Sequence, residues 1–165
     1  MIIDTIERII SFIALCLLQV VVLNHIHLFS VATPLFYIIF VLHFPSNYSR
    51  SGIMLWCFAM GIVIDCFGNT PGVASASMTL LGALQPYLLR RFMSHEVEEM
   101  VPSLSVLGVQ PFFSYLSCVT LLYCLLYFSL EMFSFAHLLY WIENVIGSTI
   151  LTVLLIFVVE IVRKR

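Results

Sequence analysis

Six long apolar runs, separated by short polar connections, set the frame of this chain. They cover 9–23, 28–44, 51–67, 72–89, 106–130 and 136–162, close to the roughly 20 residues that a helix needs to cross a bilayer. The pattern predicts an all-α integral membrane protein with a single polytopic domain over 1–165. The second run is interrupted by Pro34, which leaves only 35–44 as unbroken helix, a pattern that a re-entrant segment would also give. The first run follows Arg8 as a secretory signal would. It has no small-x-small cleavage site and ends in Asn24-His25-Ile26-His27, so a retained first helix is expected.

The charges bear on the count. Lys and Arg are retained on the cytoplasmic side of short loops, and all seven fall in alternate connections. Arg8 precedes the first run, Arg50 lies between the second and third, and Arg90 and Arg91 lie between the fourth and fifth. Arg163, Lys164 and Arg165 follow the sixth. Six spans with both termini in the cytoplasm keep this segregation, and five or seven would break it. The outer rim then carries Asp65, Glu131 and Glu143 without a neighbouring cation. The longest connection, 90–105, contains Glu96, Glu98 and Glu99, and a short interfacial helix is expected there.

Composition supports the bilayer. Hydrophobic residues are 62% and charged residues 10% of the chain, too few charges to disperse a soluble domain. The net charge of −2 argues against a nucleic-acid partner. The five cysteines lie in apolar runs without Cys-x-x-Cys spacing and read as small hydrophobes.

Membrane helices associate through small residues and interhelical hydrogen bonds. Gly72, Ala76, Thr79, Ala83 and Pro86 form such a stripe and predict that the fourth span is the central helix. Gln110, Ser114, Ser117 and Cys124 mark one face of the fifth span, and Asn144, Gly147, Ser148 and Thr152 one face of the sixth.

Chemistry is sparse. Asp4 and Asp65 lie at opposite ends of the predicted topology, so an aspartyl dyad cannot form within one chain. Gly-x-Ser-x-Gly and His-Glu-x-x-His are both absent, and no enzyme activity, metal or cofactor is expected. His25 and His27 lack a third ligand. Gln19, Asp65, Glu143 and Asn144 could gather in the outer half as a shallow pocket with no basic residue. The informative segment is Gly61-Ile62-Val63-Ile64-Asp65-Cys66-Phe67-Gly68-Asn69-Thr70-Pro71-Gly72. It reads as a tight turn between two spans, with Asp65 placed to accept its backbone N–H groups or to serve a partner or a relay.

Over nearly its whole length the sequence resembles the MreD family, in the version found in Bacteroidetes. The resemblance rests on Leu17-Leu18-Gln19, on Ala32-Thr33-Pro34 followed by Tyr37, and above all on Gly61-x-x-x-Asp65 with the turn from Gly68 through Asn69 and Pro71 to Gly72. Pro102-Ser103-Leu104, Leu107-Gly108 and 130–135 add to it. It implies a non-enzymatic scaffold of the bacterial cell-elongation (rod) complex in the inner membrane, binding an MreC-like single-span protein. Through that partner it would serve MreB, RodA and a penicillin-binding transpeptidase in peptidoglycan synthesis and cell shape. The other expected contacts are the lipid bilayer and a second copy of the chain. The family fold is similar to the substrate-binding subunits of energy-coupling-factor transporters, so a vitamin-binding subunit of that kind is the alternative.

Overall fold

The computed structural model describes residues 2–22, 33–45, 47–92, 101–132 and 138–164. Every element among them is helical: α1 (Ile2–Leu17), α2 (Ile38–Leu42), α3 (Arg50–Gly68), α4 (Val73–Phe92), α5 (Leu104–Leu107), α6 (Val109–Glu131) and α7 (Leu138–Lys164). Among the described residues three helices are long and apolar enough to cross a membrane, Arg50–Gly68, Val109–Glu131 and the Leu139–Arg163 portion of α7. The chain is a helical membrane protein.

The long helices pack in sequence, α1 on α3, α3 on α4, α4 on α6 and α6 on α7. Among them lies the segment 33–45. Over 35–44 every residue but His43 is buried, with Ile38 and Val41 fully enclosed. This is the principal departure from the sequence reading. The second run is not a continuous helix over its described part, because only five residues, Ile38–Leu42, are helical. Pro34 disfavours helix at the residue before it, and the chain enters the core as non-helical backbone. Its earlier part, 28–32, lies outside the described residues.

α4 packs on α3, α6 and α2, as a central helix would, but its predicted stripe is not its packed face. Gly72 and Ala76 are exposed and Thr79, Ala83 and Pro86 half-buried, whereas Ala74, Ser75, Met78, Leu81, Gly82 and Gln85 are buried. The α6 stripe divides, with Gln110 and Ser114 exposed, Ser117 half-buried and Cys124 fully buried. α6 buries larger groups instead, including Phe112, Tyr115 and Tyr123. Only the sixth-span stripe turns inward, with Asn144, Ser148 and Thr152 buried.

The first helix begins at Ile2, seven residues before the expected start, and its last turn, Leu18–Val22, widens to a π-helix. Arg8 therefore sits within α1, with its guanidinium 4.8 Å from the Phe44 ring centre and 4.3 Å from that of Tyr48. The interfacial helix expected in 90–105 falls partly on 93–100, outside the described residues. The part that is described holds the end of α4, up to Phe92, and the start of the four-residue α5.

Candidate functional site

The polar residues form three fastenings and one cavity. The first fastening joins α3 to α4. α3 ends where Asn69 takes a left-handed conformation (φ 54°, ψ 34°), a stop that Asn tolerates better than most residues. The turn closes at Gly72, whose φ of 85° favours glycine. It brings the first turn of α4 beside Asp65. Asp65 Oδ1 accepts the N–H of Ala74 at 2.8 Å and the Thr70 hydroxyl at 3.0 Å, and Oδ2 accepts the N–H of Ser75 at 2.9 Å. A helix N-terminus leaves such N–H groups without partners, and a carboxylate there also opposes the helix dipole. Asp65 thus caps the next helix rather than the turn itself.

Gly61 makes this geometry possible. One helical turn before Asp65, it lies against the backbone of Ala74 and Ser75, so close that a Cβ would collide with Ser75. The spacing Gly61-x-x-x-Asp65 places a close approach and a cap on the same face of α3.

The second fastening holds the non-helical backbone around Pro34. Gln19 Nε2 donates to the Pro34 carbonyl at 3.0 Å, and Gln19 Oε1 accepts the Phe36 N–H at 3.1 Å. From α7, Thr152 Oγ1 accepts the Leu35 N–H at 3.0 Å and Ser148 Oγ the Thr33 N–H at 3.2 Å. Irregular backbone at membrane depth is tolerated only where protein satisfies it, and here four consecutive residues are served by three side chains. The π-helical turn of α1 begins beside Gln19, a common association of such turns with functional positions.

The third fastening closes the other end of the central segment. Gln85 Nε2 donates to the Phe44 carbonyl at 2.9 Å. Next to it, His43 Nε2 lies 2.9 Å from Glu160 Oε1, and Arg163 lies 3.5 Å from the same oxygen. Glu160 is buried, so the pair ties the segment to α7 at the basic end of the bundle. Gln85, His43 and Glu160 were not singled out from sequence. Glu160 carried a readable signal, since an acid inside the last apolar run is as costly as Asp65.

The cavity, of about 510 Å³, opens at the opposite end. It is bounded by the C-termini of α3 and α6, the start of α7, Gln19 and the segment 33–37. Gln19 and Asn144 meet there as expected, joined by Glu131. Asp65 does not line it. With Asn69, Pro71 and Gly72 it borders a separate hollow of about 410 Å³ outside the turn. Glu143 is exposed. Gly68 lines the main cavity, and Pro34 contributes its carbonyl to the Gln19 clamp. His25, His27 and His137 lie outside the described residues, and among the described ones no group of His, Cys, Asp and Glu is arranged to hold a metal.

Fold and site together define a helical membrane protein with a clamped, broken central segment and a cavity at the end of the bundle away from its basic residues. Neither a family model, nor a curated protein, nor a solved structure matches the chain.

Proposed function

We propose that this protein is a non-catalytic scaffold of the bacterial rod (cell-elongation) system, with six spans and both termini in the cytoplasm, and that it holds an MreC-like single-span partner in the inner membrane. The observation that carries this reading is the use made of the Gly61-to-Gly72 signature. Its one carboxylate is occupied by three donors of the same chain, so the motif fastens α3 to α4 and leaves no reacting group. The remaining polar side chains at depth are spent mainly on the segment 33–45. Function then falls to surfaces. Outward-facing Leu55, Phe58, Ile62 and Phe67 on α3, and Ile146, Ile150, Leu154 and Val158 on α7, offer apolar ridges to lipid or to a partner helix. Through MreC the scaffold would serve MreB, RodA and the transpeptidase. The test is crosslinking in native membranes with depletion: recovery of a single-span partner and rounding of the cells are expected. Recovery of no such partner, with cell shape unchanged, would overturn the reading.

The outer cavity favours a second reading, a vitamin-binding subunit of an energy-coupling-factor type transporter. Its volume falls within the roughly 300–1,000 Å³ of small-ligand sites. Saturable vitamin binding by the purified protein, together with loss of vitamin uptake on depletion, would establish it in place of the scaffold.

A further inference from the structure

We infer that the outer cavity is a binding site for a substituted ammonium group, whether carried by a free amine or by the headgroup of an aminophospholipid. The inference rests on the cavity itself and is the same for a scaffold and for a transport subunit.

Electrostatics decides the sign of the ligand. None of the described residues lining the cavity is Lys or Arg, and Glu131 places a carboxylate at its edge. Two helices end there, α3 at Gly68 and α6 at Glu131, and each C-terminus carries about half a negative charge in its last carbonyls. One opposing field is the first turn of α7, worth about half a positive charge. The nearby N-terminus of α4 is already answered by the full charge of Asp65. The balance is on the order of one to two negative charges, reduced by solvent where the exposed Glu131 meets water.

The lining also selects the kind of cation. Tyr37, Phe67, Tyr127 and Tyr140 contribute aromatic rings, whose faces attract alkylammonium groups more than they attract small hydrated metal ions. Asn144 spends one N–H of Nδ2 on the Tyr140 carbonyl at 2.8 Å, which leaves Oδ1 free to accept and a second N–H to donate. A ligand rich in N–H donors or bearing a quaternary methyl surface fits these walls, and an anion does not. The rim lies at the end of the bundle away from the Arg and Lys residues, where lipid headgroups of the outer leaflet would reach it if the proposed topology holds.

The experiment uses the full chain in detergent, with choline and ethanolamine as probes and 3,3-dimethylbutan-1-ol as the uncharged isostere of choline. Saturable binding by ligand-observed NMR and thermal shift is expected, with choline bound at least about tenfold more tightly than its isostere. Glu131→Gln should weaken binding by about tenfold without lowering the unliganded melting temperature, because Glu131 is exposed and its charge repels the last carbonyls of α6. Tyr127→Leu provides a second variant that keeps the apolar volume. Native mass spectrometry from nanodiscs of phosphatidylethanolamine or phosphatidylglycerol separates the two sources. Preferential retention of phosphatidylethanolamine, lost in Glu131→Gln, identifies the lipid, and choline binding without that preference identifies a free amine. Equal binding of choline and its isostere, binding indifferent to Glu131, or saturable binding of neither probe together with no lipid preference would overturn the inference.

Discussion

Asp65 accepts the backbone N–H of Ser75 at 2.9 Å, although the two residues belong to different helices. A carboxylate near the end of one span thereby serves as the cap of the next. The bond ties the end of α3 to the first turn of α4 and gives the carboxylate a structural partner. Asp65→Ala would strand two N–H groups of α4 and the Thr70 hydroxyl. Unmade buried bonds cost about 1–3 kcal/mol each, so melting in detergent should fall clearly. Asp65→Asn retains one acceptor oxygen and should be milder. Wild-type melting of both variants would make the cap incidental.

Gly61 and Gly68 offer a paired contrast. Gly61→Ala forces a methyl group into the backbone of Ala74 and Ser75, which cannot give as a side-chain tip can. Overpacking of this kind costs about 1–3 kcal/mol, and separation of α3 from α4 should follow, visible as slower crosslinking between cysteines introduced at their contact. At Gly68 a methyl group would meet only the Thr70 hydroxyl at 3.3 Å, so Gly68→Ala should melt close to the wild type. Equal behaviour of the two variants would contradict the close approach at Gly61.

Much of the helical architecture was legible because apolar length and charge placement are local properties of the chain. The interior was less so. Gln19 clamps residues 34 and 36, and Thr152 reaches Leu35 from 117 positions away. A one-dimensional pattern carries no record of such partners. The stripe of Gly72, Ala76, Thr79, Ala83 and Pro86 misled because small residues permit close packing without requiring it. On α4 the close approach is made by Gly82 against Cys57 and by Ser75 against Gly61. At the cavity, Gln19 and Asn144 were readable as rare polar groups in apolar runs. Asp65 was placed with them because its depth could be inferred and its bonding partners could not.

The proposed topology makes a separate prediction. Reporter fusions after Arg165 and within 90–105 should read cytoplasmic, and a tag at Asn69 should read periplasmic. Arg50, Arg90 and Arg163 lie at helix ends remote from Asn69, the arrangement that retention of basic loops demands. An external reading at Arg165 would overturn the six-span count.

The last prediction concerns Gln19, the side chain on which the central segment turns. Its amide matches the backbone of Pro34 and Phe36 with one donor and one acceptor, the pairing that a neighbouring strand would make. Gln19→Leu preserves the volume but strands a carbonyl and an N–H where little water can replace the amide. Each loss costs about 1–3 kcal/mol, so the variant should melt at a markedly lower temperature. Gln19→Glu keeps the acceptor for Phe36 but sets a carboxylate against the Pro34 carbonyl, and it should fail at neutral pH while recovering in part as the carboxyl is protonated. Gln19→Asn is too short to reach both partners and should fall between wild type and Leu. Hydrogen exchange gives the local measurement: the Phe36 amide should be strongly protected in the wild type and exchange early in Gln19→Leu, with the amides of α6 slower to follow. If Phe36 stays protected in that variant, the segment is held by α7 through Ser148 and Thr152 alone, and Gln19 is not its anchor.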